Sequence, residues 1–255
     1  MKTISLFGMQ IAPVRMPEAV AELRRWIDAD ERACRYVVTP NVDHAVMFER
    51  RADLRDAYRD ASLVLADGFP VVLASRLLKR PLPERVAGSD LAPALFAAAK
   101  VAKPLTVYLL GAGPGVAERA ATNIHNRWPG VRVVGCYSPP LGFERDEQEC
   151  VAICERINAA RPDVLMLGLG APKQELWIAR HRARLQVNAA LCIGATIDFL
   201  AGEKARAPRW MQQFGVEWLH RLCSEPKRLF KRYAHDAWVF PQLVWREWRG
   251  TRAAV

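Results

Sequence analysis

The feature that most constrains this chain is an alternation. Short aliphatic and β-branched runs, "RYVV" (35–38), "SLVL" (62–65), "LTVYLLG" (105–111), "VRVVGCY" (131–137), "DVLMLGLG" (163–170) and "AALCIG" (189–194), are separated by longer mixed stretches. The runs hold few polar residues, as strands buried on both faces must. The stretches between them space apolar residues as a helix does; in "MPEAVAELRRWIDAD", Val20, Leu23 and Ile27 fall on one side. "VDHAVMFERRADLRDAYRDA" (42–61) is expected as a helix, and residues 3–14 as a small hairpin around Gly8. Strands alternating with helices predict an α/β chain: a Rossmann-like, mostly parallel sheet with helices on both faces. Ligands of such sheets bind beyond the carboxyl ends of the strands. Thr39, Asn41, Asp67, Gly111, Gly113, Gly168, Gly170 and Gly194 all fall at those ends.

Length and charge narrow the classes further. A chain of 255 residues, 51% of them hydrophobic, suits one large domain or a main domain with an appendage. The 37 Lys and Arg residues against 27 Asp and Glu leave a formal charge of +10, which favours anionic partners. The cysteines, at 34, 136, 150, 154, 192 and 223, form no CxxC pair and mostly lie in apolar runs. They read as small buried hydrophobes in a reducing compartment. The histidines have no ligand spacing, so no metal site is expected. The N-terminus "MKTISLFGMQIAP" is too short and too quickly polar for a signal peptide. No apolar run approaches the ~18 residues of a membrane span.

The strand ends carry the candidate chemistry. "LADGFP" (65–70) places Asp67 in a turn at the end of a strand, where a carboxylate can also serve as a base. "GAGPG" (111–115) follows a strand and opens a helix, so Gly111 and Gly113 are candidate phosphate-cradling positions. No acid that would bind a ribose ends the next strand, which argues against a nicotinamide cofactor. "GLGAPKQE" (168–175) offers Gly170 for close backbone approach, Lys173 as a cation and Gln174 as donor and acceptor, with Glu175 capping or tuning the helix. Thr39 and Asn41 of "TPN" are equally good ligands and helix caps. His44 reads as a partly exposed helical residue. Arg85 in "LPERVAGSDL" (82–91), a loop rich in turn residues, is a candidate anion clamp.

The character changes near residue 206. The last fifth of the chain holds Trp210, Trp218, Trp238, Trp245 and Trp248 with closely spaced basic residues, including Arg221, Arg228 and Arg232. Their spacing places these three arginines on one helical face, beside an apolar side carrying Leu222, Leu229 and Phe230. The expected division is an α/β catalytic core over 1–205 and a basic amphipathic helical appendage over 206–255.

"TPNVDH", "LADGFP", "ERVAGSDL", "GLGAPKQE", "GATIDFLAGEKARAPRWM" and "GVEWLHRLCSEPKRLFKRY", in this order, resemble the WecG/TagA/CpsF family of bacterial glycosyltransferases from about residue 3 to about residue 235. The resemblance implies transfer of a sugar from a UDP-sugar to a polyprenyl-pyrophosphate-linked saccharide, with inversion at the anomeric carbon. It implies a peripheral place on the cytoplasmic face of the inner membrane and a role in teichoic acid, common-antigen, capsule or exopolysaccharide synthesis. Asp67 maps onto the family's proposed general base; Thr39, Asn41, Arg85 and Gln174 map onto residues that orient donor, acceptor and diphosphate. The family has no DxD metal motif and needs no cofactor, so cationic side chains are expected to stabilise the departing UDP. UDP-N-acetylmannosamine, its uronic acid and UDP-glucose all remain possible donors. The contrasting class is a non-catalytic basic protein that binds nucleic acid or membranes; no nucleic-acid motif supports it, and it would leave Asp67 and Gln174 without a task.

Overall fold

The computed structural model describes residues 2–253, and the side chains of all of these except Arg209, Gln213 and residues 251–253. Strands β1 (Ile4–Leu6) and β2 (Met9–Ile11) form the expected antiparallel hairpin. The six other strands are β3 (Arg35–Val38), β4 (Leu63–Val64), β5 (Leu105–Gly111), β6 (Val131–Tyr137), β7 (Val164–Gly168) and β8 (Ala189–Cys192). They form one sheet in the order β4-β3-β8-β7-β5-β6, and every neighbouring pair is parallel. The α/β reading and its helices on both faces are therefore observed. The hairpin closes the β4 edge, where the Ala12 N–H donates to the Val64 carbonyl at 2.9 Å.

Alternate residues of each central strand enter different cores. Leu105, Val107 and Leu109 of β5, with Val164 and Met166 of β7, face α1 (Met16–Ile27), helix 88–97, helix 116–127 and helix 196–201. Tyr108 and Leu110, with Leu165 and Leu167, face helices 42–50, 52–59, 69–77, 147–160 and 173–181. This period of two, with both sides apolar, is why the strands show no polar alternation in sequence.

In chain order the helices after α1 are α2 (Val42–Arg50), α3 (Ala52–Arg59), α4 (Phe69–Leu77), α5 (Gly88–Ala97), α6 (Val116–Arg127), α7 (Glu147–Ala160), α8 (Lys173–His181), α9 (Thr196–Ala201), α10 (Arg209–Gln213), α11 (Glu217–Ser224) and α12 (Pro226–Ala253). Three of these depart from the sequence reading. The helix expected over 42–61 is broken at Arg51, whose extended φ of −113° and ψ of 105° separate α2 from α3. The stretch 82–91 does not remain a loop, because α5 starts at Gly88. The C-terminal segment turns at Glu225, ahead of Pro226, so Arg221 lies on α11 while Arg228 and Arg232 lie on α12. The three arginines therefore share no continuous helical face.

The long α12 packs along α2. Its Val239, Phe240 and Leu243 are buried in the same core as Leu6, Tyr36 and Phe48, and the Phe7 ring packs tilted at 5.2 Å from that of Phe240. The neighbours Leu229 and Phe230 point to different surroundings: Leu229 is buried and Phe230 exposed. Among the described residues no helix is long and apolar enough to cross a membrane.

Candidate active site

The connection from β5 leads outward to β6, whereas that from β7 leads to β8 on its other side. The crevice between the carboxyl ends of β5 and β7 is therefore a topological switch point, the usual ligand position in open α/β sheets. The two strands approach closely there. Gly111 has a φ of +114°, and a Cβ on it would lie 2.6 Å from the Gly168 carbonyl. Only glycine fits. The Ala112 N–H donates to Gly168 O at 3.2 Å, and Ser138 at the end of β6 donates its hydroxyl to the carbonyls of Gly111 and Gly113. Gly113 has no such constraint, since a Cβ there would meet Val116 alone, at 3.5 Å. Gly170, at φ +80°, lies in the loop into α8. Lys173 turns toward Glu144, pairing with it at 3.2 Å.

Asp67 stands at the other end of the cleft. Its N–H donates to the Pro40 carbonyl at 2.8 Å, which ties the end of β4 to that of β3. The Val86 N–H donates to Ala66 at 2.9 Å and thereby brings the neighbouring Arg85 alongside. The Arg85 guanidinium lies 3.8 Å from the Asp67 carboxylate, 3.3 Å from Glu217 of α11 and 2.8 Å from Asp90 of α5. Arg206 holds the second oxygen of Asp90 at 2.6 Å. Solvent reaches 28% of the Asp67 side chain, and no hydrogen bond engages its carboxylate among the described residues. Crowding by protein atoms pushes its pKa up to about 6; Arg85 and Arg221 oppose this, while Glu217 and Asp90 add to it.

Between these regions lies a buried polar chain. The Thr39 hydroxyl is buried and donates to the Cys192 carbonyl at 3.2 Å, linking β3 to β8. Asn41 caps α2, its Oδ1 accepting the His44 N–H at 3.3 Å. Gln174 is only 3% exposed; its Nε2 donates to Glu175 at 2.9 Å and its Oε1 accepts from the Gly194 N–H at 3.2 Å. Glu175 and His44, which read as a capping acid and a partly exposed helical residue, are both buried, with His44 Nε2 3.3 Å from Glu175 Oε1. Burial disfavours the imidazolium, but Glu175, Asp43 and Asp67 outweigh it and raise the His44 pKa.

The structure thus groups Asp67, Asn41, Arg85 and Arg221 at one end of the cleft, with Thr39 and Gln174 beneath, and Gly111, Gly113, Gly170 and Lys173 around the switch point. Arg228 and Arg232 are held elsewhere: Arg228 pairs with Glu225, and Arg232 with Asp43 of α2 at 3.3 Å. Asp90, Arg206 and Glu217 complete the ionic cluster at Arg85. Among the described residues no three His, Cys, Asp or Glu side chains are grouped so as to hold a metal ion.

Comparison with known proteins agrees with this architecture. The chain is 29% identical over 227 residues to an N-acetylglucosaminyldiphosphoundecaprenol N-acetyl-beta-D-mannosaminyltransferase of Bacillus spizizenii, covering 86% of each chain. It is equally identical over 229 residues to the enzyme of that name from Staphylococcus aureus strain MW2, covering 89% of this chain and 86% of that protein. The model of the glycosyl transferase WecG/TagA/CpsF family matches residues 4–254. With that match spanning nearly the whole sheet and its C-terminal helices, the chain belongs to the WecG/TagA/CpsF family of glycosyl transferases.

Proposed function

We propose that this protein transfers a sugar, N-acetylmannosamine in preference to glucose, from its UDP derivative to a polyprenyl-pyrophosphate-linked saccharide, inverting the anomeric carbon. The observation that carries this reading is Asp67: a carboxylate at the open end of the sheet, without a hydrogen bond among the described residues, whose pKa is raised to about 6. A carboxylate of that basicity accepts the proton of the acceptor hydroxyl as its oxygen attacks C1. The bond from C1 to the diphosphate oxygen breaks, and UDP leaves with the electron pair. Arg85 and Arg221 offset the charge that develops there, and Asn41 orients the reacting sugars. The glycine-lined switch point beside the start of α6 receives the nucleoside part of the donor, whose diphosphate extends toward Arg85 and Arg221. The names of the relatives support N-acetylmannosamine as the donated sugar and an N-acetylglucosaminyl-diphospholipid as the acceptor.

The acceptor places the reaction at a membrane, on the cytoplasmic side where UDP-sugars occur. The C-terminal helices suit peripheral contact with an anionic surface. Trp210, Phe214, Trp218, Phe230, Trp238 and Trp245 are exposed, and Lys227, Arg228 and Lys231 lie among them in the chain. Each basic residue near such a surface contributes about 1 kcal/mol. The test is a panel of UDP-sugars incubated with a polyprenyl-pyrophosphate N-acetylglucosamine acceptor in anionic vesicles, with EDTA present. We expect UDP release and an inverted product with UDP-N-acetylmannosamine. Release that needs no acceptor, a retained configuration or a requirement for added Mn²⁺ or Mg²⁺ would contradict the mechanism.

A further inference from the structure

We propose that His44 and Glu175 form a buried positioning pair that fixes the Asn41 carboxamide with its Nδ2 donor turned to the cleft. This rests on the transfer reaction proposed above. Glu175 is fully buried, with no part of it reached by solvent. A buried carboxylate is costly unless it is paired and hydrogen-bonded. Among the described residues no Lys or Arg reaches it. Its Oε1 meets His44 Nε2 at 3.3 Å and the Gln174 amide at 2.9 Å, and among the described residues its Oε2 has no hydrogen-bond partner. His44 is therefore the cation available to it.

The other side of the imidazole faces Asn41. The backbone N–H of His44 can only donate, so the Asn41 atom it meets at 3.3 Å is Oδ1. His44 Nδ1 lies 2.9 Å from that same oxygen and 3.4 Å from the Asn41 backbone N–H; the oxygen is the nearer and stronger partner, and it calls for a proton on Nδ1. An imidazolium donating from both ring nitrogens satisfies Glu175 and Asn41 together. With Oδ1 so held, Nδ2 of Asn41 points the opposite way, and among the described residues it has no partner. Asn41 packs beside Gly68, where a Cβ would lie 3.6 Å from its own, and Gly68 adjoins Asp67. The ionisable groups around the imidazole are Glu175 of α8, Asp43 of its own helix and Asp67 from the end of β4, with the Tyr58 ring of α3 at 6.5 Å. His44 and Glu175 touch neither donor nor acceptor; they act through Asn41.

The experiment compares the full chain with Glu175→Gln, His44→Gln and the double variant, using UDP-N-acetylmannosamine and a soluble short-chain diphosphate acceptor. Glu175→Gln keeps the size and one accepting oxygen and removes the charge, so it reports even where His44→Gln does not fold. We expect each single variant to lose kcat on the order of 10²-fold, as for a misplaced orienting group, with UDP affinity changed by less than about twofold. The double variant should be no slower than the slower single one. Ring-nitrogen NMR near neutral pH should show both His44 nitrogens protonated in the wild type and a neutral ring in Glu175→Gln. A neutral His44 in the folded wild type would overturn the proposal, as would a Glu175→Gln kcat within about threefold of wild type or losses that multiply in the double variant. If the wild type transfers no sugar, the reading of the reaction falls, while the ring spectra still decide the pair.

Discussion

Replacing Asp67 by Asn should stabilise the protein at neutral pH while impairing its chemistry. Burial raises the Asp67 pKa from an ordinary 3.8 to about 6 in the folded chain. The folded state then holds a proton that the unfolded state has released between these values. Stability from this group is complete below about pH 4 and is lost as pH rises through about 6. The difference of about two pKa units corresponds to about 3 kcal/mol at most, and to about 1–3 kcal/mol because the side chain still reaches water. Asn carries no ionisable proton and escapes this loss. Thermal melts of wild type and Asp67→Asn at closely spaced pH values provide the assay. The variant should melt about 2–12 °C higher at pH 8, given about 2–4 °C per kcal/mol for a chain of this size. The advantage should shrink toward zero near pH 4. A variant less stable than wild type at pH 8, or an advantage that does not depend on pH, would refute the reasoning.

The remaining predictions concern the base, the switch point and the tail. The kcat/KM of the wild type should rise through about pH 6 as Asp67 ionises and then level off, and a profile flat from pH 5 to pH 8 would deny Asp67 its role. Gly111→Ala should destabilise by about 2–5 kcal/mol in urea melts, from positive-φ strain and the clash with Gly168, whereas Gly113→Ala should cost less than about 1 kcal/mol. Arg221→Ala should reduce turnover of a soluble acceptor by about tenfold or more, and by more than Arg228→Ala does, because Arg221 acts on Asp67 and Arg228 is held by Glu225.

The sheet was legible because burial on both faces leaves an unmistakable apolar run, and the strand ends then located Asp67, Asn41 and the glycines. What stayed hidden depends on contacts between distant parts of the chain. His44 and Glu175 are 131 residues apart, and neither the helical spacing around "DH" nor the turn chemistry of "PKQE" reveals that the two side chains meet. A polar pair at the open ends of two strands was the available signal, since both segments were already placed there. Glu217 and Arg206 join the Arg85 cluster only because the C-terminal segment folds back over α5. The break at Arg51 leaves no mark in the sequence because residues on both sides of it favour helix, and only packing on the sheet sets α2 and α3 apart. The single arginine face fails at Glu225, whose non-helical φ of −136° and ψ of 58° end one helix before Pro226 starts the next. The same packing alters how the tail is best studied. Cutting the chain before Trp210 removes Val239, Phe240 and Leu243 from the main core, so substitutions at exposed Trp238 and Trp245 are the cleaner probes of membrane contact.

The role of Asp67 as the base is tested most directly by the turnover of Asp67→Asn, measured as UDP released from UDP-N-acetylmannosamine with the lipid-linked acceptor, alongside UDP binding to the same variant. The variant keeps the shape of the site and removes the basic oxygen. Turnover should fall by about 10²–10⁴-fold while UDP binding stays near that of the wild type. Turnover close to wild type would contradict the assignment of Asp67 as the base.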